Sequence, residues 1–374
     1  MGSLYHPDAL FSATRYSKKP AQSFPCPMEK KCLLMAEPAP FDLEKHAMKF
    51  APEYGEHDFS DHLPMAVTAL RQLGGSQERV DAFVKGYQKR LKRRQPGKTT
   101  IGELLLSARI GDASVYAPAF NYFSQAIESD GRAHVLRSHL PELTNALATV
   151  AFHGAIRVAY GLLADSDTEV AAGLAYWHSR AVFVRFSRSR SIGAANNNAE
   201  TLLDDVADAF AKSRSKLKLD QPTISEQLSE VFANPQLATV LNKAAAANVS
   251  FDEIAAYAMR IYLASENFTA LHCVTGVHAT RILSDHVVMD DAVLRKSLWS
   301  SICAAYASIR APALQPLTPA PTGAPDWHVI SSAAQGAEDE HDIKFAFSCM
   351  EESRQYGRDA HYRYAAAKRL GLIT

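Results

Sequence analysis

The stretch LTNALATVAFHGAIRVAYGLLA, residues 143–164, decides the fold class. Its apolar side chains cover nearly every face of a helical repeat, the pattern of a helix buried at the centre of a large helical domain. His153 and Arg157 interrupt it, and a polar group in such a place must find hydrogen-bond partners or bind something.

Working outward, HLPMAVTALRQLGG (62–75) spaces Leu63, Val67, Leu70 and Leu73 at three and four, then ends on a glycine pair suited to a C-cap. SFDEIAAYAMRIYLAS (250–265) opens with Ser250 and Glu253, a capping-box pair, and runs into a further helical segment, ENFTALHCVTGVHATRILSDH (266–286). Strand-like alternation is scarce. The expected class is therefore all-α: a single large helical domain over 56–374 with buried central helices, preceded by an extended Pro-rich arm over 1–55. Pro20, Pro25, Pro27, Pro38, Pro40 and Pro52 keep long helices out of that arm. SRSRSIGAANNNAE (187–200) reads as a loop, and the proline-rich RAPALQPLTPAPTGAPDW (310–327) as a long non-helical excursion. No repeat of the solenoid type is visible.

With 374 residues, 47% of them hydrophobic, the chain has ample material for a core. Lys plus Arg and Asp plus Glu each total 40, so there is no overall positive field to draw the protein to nucleic acid or anionic membrane. The basic run KGYQKRLKRRQPGK (85–98) reads as a solvated helix end. Cys26, Cys32, Cys273, Cys303 and Cys349 form no CxxC pair, which fits reduced thiols in a cytoplasmic protein. The N-terminus lacks the apolar segment of a signal peptide, and no run approaches the roughly 18 apolar residues of a membrane span.

GxGxxG, the P-loop, GxSxG and HExxH are all absent, leaving nucleotide cradles and the familiar serine and zinc hydrolases without support. What remains is histidine, of which there are 14. His62, His153, His272 and His341 fall in four separate helical segments, and metal sites in helical proteins are assembled from inward-facing side chains of different helices. A ferritin-like di-iron site needs two Glu-x-x-His motifs, and Glu338 with His341 supplies one.

FSDHLPMAVTALRQLGG, FHGAIRVAYGLL, NFTALHCVTGVHATRIL and DEHDIKFAF, in this order, resemble the questin oxidase-like family of helical oxygenases over roughly residues 55 to 370. Characterised members open rings of anthraquinone-type polyketides. The resemblance implies a non-haem Fe(II) oxygenase in which, in at least one member, four histidines and a carboxylated lysine hold the iron. Matched motif to motif, the metal ligands are His62, His153, His272, His341 and Lys344. A lysine ammonium repels a cation, but its neutral amine adds carbon dioxide to give a carbamate, an anionic oxygen ligand. His341 and Lys344, three apart on a helix, share a face. The bland alternative pairs Lys344 with Asp339, Glu340 or Glu351 in solvent. Many members read NHLPH where this chain has Asp61 to Met65, so a second histidine is missing; Met65 then lines the pocket, or His57 contributes.

For catalytic contact with substrate the sequence offers Arg157, Tyr160 and His278, with Tyr176 and His178 as further pocket residues and Asp61 as a group that orients His62 or caps its helix. The expected function is insertion of oxygen into, and opening of a ring of, a polycyclic aromatic substrate, by a dioxygenase or a Baeyer-Villiger-type monooxygenase route. Its partners are a small aromatic molecule and dioxygen, not nucleic acid or membrane. NADPH fits the second route but has no dinucleotide fingerprint here, so electrons come from the substrate, a partner or a soluble reductant. The competing expectations are a helical binding or scaffold protein with structural histidines, and a four-ligand zinc site that leaves the lysine out.

Overall fold

A computed structural model describes residues 41–95, 97, 100–183, 198–287 and 289–374. In chain order its elements are α1 Leu43–Lys49, β1 Glu53–Tyr54, β2 Phe59–Ser60, α2 Leu63–Gln72, α3 Gln77–Tyr87, α4 Glu103–Ala108, α5 Tyr116–Asp130 and α6 Arg132–Leu143. Then follow α7 His153–Leu163, α8 Asp167–Arg180, α9 Ala199–Ser213, α10 Ile224–Ala233, α11 Pro235–Ala246 and α12 Phe251–Ser265. The chain closes with α13 Phe268–His286, α14 Asp291–Ser308, α15 Trp327–Gly336, α16 Glu340–Tyr356 and α17 Asp359–Arg369. Among the described residues the only sheet is the β1–β2 hairpin, in which Glu53 faces Ser60 and Tyr54 faces Phe59. The domain is all-α.

Of the expected arm, residues 1–40 lie outside the described residues, and residues 41–55 carry α1 and β1, with α1 against α8. Most of the 187–200 loop also lies outside them, up to Asn198, whose side chain caps α9. The 310–327 excursion is non-helical until Trp327. Cys273, Cys303 and Cys349 are free thiols buried in the core. No helix among the described residues is long and apolar enough to cross a membrane.

The reading of 143–164 as one helix needs correction. Helix α6 ends at Leu143, and the chain then turns through Val150, Ala151 and Phe152, all left-handed with φ of 43°, 55° and 67°, before α7 begins at His153. Left-handed backbone is unfavourable for side chains with a Cβ, most of all for a β-branched one, so surrounding packing holds this turn. Phe152 is fully buried and its ring lies against Gly276 of α13, where a Cβ would stand 2.9 Å from the ring.

Helices α7 and α8 form the buried centre. A Cβ on Gly154 would stand 2.6 Å from Trp177 Cβ, and one on Gly173 would stand 2.7 Å from the Val158 backbone nitrogen. These two glycines let the helices approach more closely than side chains permit. Around them α2 packs on α7 and α16, and α13 packs on α7 and α16, which closes a ring of four helices.

Candidate metal centre and its cavity

Each helix of that ring brings one histidine, and each does so close to its N-terminus. His62 is the N-cap of α2, His153 opens α7, His272 lies just beyond the first turn of α13, and His341 is the second residue of α16. Their rings meet: centroid separations are 4.5 Å for His62–His153, 4.6 Å for His62–His341, 4.8 Å for His153–His272 and 5.4 Å for His272–His341. Ring nitrogens of His62, His153 and His341 lie within 4.8 Å of one another, close enough for one ion.

The Nδ1 atom of each ring faces an oxygen. His62 meets Glu340 Oε1 at 3.2 Å, His153 the Val150 carbonyl at 2.5 Å, His272 the Phe268 carbonyl at 2.8 Å and His341 Asp339 Oδ1 at 2.9 Å. A carbonyl or carboxylate oxygen only accepts, so Nδ1 carries the proton in all four rings. Burial, followed by neighbouring positive charge, holds His62, His153 and His272 well below the ordinary value of 6.5 and lowers His341 as well. Neutral rings protonated at Nδ1 present bare lone pairs at Nε2. His62 and His153 bring theirs to 2.6 Å, while those of His272 and His341 are buried with no hydrogen-bond partner among the described residues. Two opposed lone pairs and two buried orphans make a donor set that could hold a metal ion, and oxygens behind Nδ1 are of the kind that orient metal-binding imidazoles.

Lys344 lies one turn beyond His341 and is 2% exposed, so its reading as a solvated ion pair is corrected. The candidate partners are committed elsewhere: Asp339 to His341 and Arg369, Glu340 to His62 and Arg90, and Glu351 to Arg354. Burial lowers its amine to about 8, against the opposing pull of Glu340 and Asp339. Its charge in turn contributes to the depression of all four histidines, which places it in their neighbourhood.

The cluster forms part of the lining of a cavity of about 970 Å³. Tyr54, Phe59 and Phe268 supply aromatic wall, and Val150 and Ala151 of the left-handed turn also line it. Phe268 packs edge-on against His272 and His341, at 4.7 Å and 4.6 Å, while 44% of it stays exposed. His57 lines the cavity edge-on to Phe59, apart from the four-histidine cluster.

The fold does not bring Arg157, Tyr160 or His278 to this cavity. Arg157 is buried against Glu169, Nε to Oε2 at 3.0 Å, and ties α7 to α8. Tyr160 packs edge-on to His278 and Phe347, and His278 Nδ1 bonds Ser348 Oγ at 2.9 Å, a polar knot inside the core. Met65 is buried away from the cavity, and His178 is buried near Phe123. Asp61 precedes the N-cap of α2, accepts from the Leu63 amide through Oδ1 at 3.0 Å and meets His46 Nε2 through Oδ2 at 2.6 Å; the carboxylate behind His62 is Glu340 instead. Sequence reasoning missed Glu340 and the wall formed by Glu53, Arg90 and Arg180. The first hides within an acidic run, and the others have no local pattern to mark them.

An all-α domain with a buried histidine centre opening on an aromatic-walled cavity is thus defined by its own geometry. The family described as questin oxidase-like matches residues 59–349, and the chain belongs to that family. Membership implies an oxidoreductase. No curated protein matches the chain.

Proposed function

We infer that the chain is a non-haem iron-dependent oxygenase that inserts oxygen into, and opens a ring of, a polycyclic aromatic substrate of quinone or polyketide type. The observation that carries this reading is the convergence of four neutral imidazoles whose Nδ1 atoms are bonded to oxygen, with two Nε2 lone pairs opposed at 2.6 Å. Family membership and the size and aromatic lining of the cavity support it.

Imidazole nitrogen with a hard oxygen donor suits Fe(II). His62, His153, His272 and His341 would hold the ion, joined by Lys344 after carboxylation. In that modification the neutral Nζ adds to the carbon of carbon dioxide, a proton leaves the nitrogen to solvent, and an anionic carbamate results. Burial of Lys344 favours the neutral amine that this needs. Bound iron supplies the one-electron chemistry that lets dioxygen react with a closed-shell aromatic.

The chain does the rest. Glu340, Val150, Phe268 and Asp339 hold the rings in register, Phe268 shields His272 and His341 from water, and the aromatic wall sets the plane of the substrate.

Metal analysis of protein purified without added iron tests the reading. Near-stoichiometric iron, lost in both His153→Ala and His272→Ala, is the expected result. Metal-free protein of full thermal stability in all three forms returns the histidines to a structural role and the chain to a ligand-binding or scaffold function.

A further inference from the structure

The cavity has a second polar region, remote in sequence from most of the histidines but beside one of them. Glu53 and Ser60 are cross-strand partners in the hairpin, and Tyr176 and Arg180, one turn apart on α8, rise to meet them. Tyr176 donates its hydroxyl to Glu53 Oε1 at 3.1 Å, so Ser60 Oγ, 2.7 Å from the same hydroxyl, must be the donor to it. Arg180 bonds Glu53 Oε2 through Nη2 and, among the described residues, reaches only acidic groups and only through that atom. Glu53, Ser60 and Arg180 all line the cavity, whereas Tyr176 is buried behind them.

This network has spare valences on its cavity side. A carboxylate accepts about four hydrogen bonds and Glu53 has two, a guanidinium offers five N–H donors, and Ser60 Oγ keeps lone pairs once its proton is directed at Tyr176. Acceptor and donor are held together by an ion pair whose carboxylate is only 10% exposed, so neither is free to swing into bulk water. Ser60 precedes His62 by two residues, which limits their Cα separation to about 7 Å. One bound polycyclic molecule can therefore meet this wall and the histidine cluster together.

We propose that Glu53 and Arg180 form a hydroxyl-reading subsite, in which the carboxylate accepts the proton of a phenolic hydroxyl and the guanidinium donates to the same oxygen. A hydroxyl is donor and acceptor at once, and this pair satisfies both capacities; an ether or a bare ring edge leaves Glu53 without its hydrogen bond. The ligand class is thus a phenol carried on a polycyclic ring, its free hydroxyl directed to the hairpin and the opposite part of the ring system toward His62. The proposal rests on the oxygenase reading for the kind of ring system, and on the hairpin geometry for the hydroxyl.

Binding of three probes to the full-length protein, followed by absorbance and by quenching of intrinsic fluorescence, tests it. The probes are anthraquinone, its monohydroxy derivative with the hydroxyl remote from both carbonyls, and the methyl ether of that derivative. None of them chelates a metal. The native chain is expected to prefer the phenol to its ether by about tenfold or more, as buried hydrogen-bonding sites do. Glu53→Met and Arg180→Met, which remove the acceptor and the donor respectively, are expected to shrink the preference to about twofold. Ser60→Ala, which leaves the ion pair intact, is expected to shrink it partly. Equal binding of phenol and ether by the native chain, or a preference that survives in any folded Glu53 or Arg180 variant, overturns the subsite and makes the pair a tie between hairpin and α8, with the oxygenase reading untouched. Failure of the native chain to bind any of the three overturns both.

Discussion

His62 and His153 face each other Nε2 to Nε2 at 2.6 Å, each with Nδ1 already bonded to oxygen. Neutral rings hold that contact only around a shared proton or a cation. Their environment depresses protonation of both, which leaves two lone pairs that a cation could take up.

Metal should therefore stabilise the fold. Ferrous ion added under anaerobic conditions at a hundredfold excess over its dissociation constant is expected to raise unfolding free energy by about 2.7 kcal/mol. His62→Ala should abolish the rise. Scanning calorimetry of both proteins with and without iron gives the answer, and an equal rise in the variant would assign the binding elsewhere.

Removing the support behind one ring should weaken the metal without unfolding the chain. Glu340→Ala frees His62 from its Nδ1 partner and leaves Arg90 stacked on Tyr87, 3.9 Å from the ring centroid. Losses of about 10- to 100-fold in metal affinity are typical for such supports. Competition with a chromogenic chelator measures the loss; unchanged affinity would mean that Glu340 serves only Arg90.

Carboxylation of Lys344 should make iron binding depend on dissolved carbon dioxide. Affinity is expected to fall in degassed buffer and recover with bicarbonate, and labelled bicarbonate should give a carbamate carbon resonance. Lys344→Gln should lack both responses. Indifference of the native protein to bicarbonate counts against the modification.

Acid should destabilise the metal-free protein. His178 and His278 are held down to about 4 and about 3, chiefly by burial, and the four clustered histidines are lowered too. Between those values and the ordinary 6.5, the unfolded chain binds more protons than the native one, so stability climbs as pH rises through this window. The histidine contribution levels off above it. Urea unfolding at pH 5 and pH 7.5 should show the lower midpoint at the acid end; a higher one there would contradict the burial of neutral rings.

Gly154→Ala separates helix propensity from close packing. In an exposed helix the exchange stabilises by about 1 kcal/mol. Here the new methyl would stand 2.6 Å from Trp177 Cβ, and overpacking costs about 1–3 kcal/mol. Net destabilisation in denaturant unfolding is expected, and a stabilised variant would mean that α7 and α8 are not in such contact.

Much of the helical architecture was legible because buried helices announce themselves by composition. The capping box of α12 and the proline-rich excursion were likewise local signals. The turn through Val150, Ala151 and Phe152 was not, because no glycine, proline or asparagine marks it; packing of Phe152 overrides what those residues prefer alone. His153 and His272 drew attention as polar groups in apolar segments, the five-residue set with His62, His341 and Lys344 came from the family resemblance, and the supports of His272 and His341 lie four and two residues away along the chain. Glu340, by contrast, reaches His62 across 278 positions, and Arg157 meets Glu169 through a helix pairing that no linear spacing reveals. Such partnerships exist only after folding.

Because the imidazoles come from the first turns of their helices or just beyond them, the distal ends of α2, α7, α13 and α16 contribute no ring to the centre. A change of length at those ends leaves the chain positions of the four rings relative to their own helix starts as they are, since His62, His153, His272 and His341 are counted from the N-terminal ends.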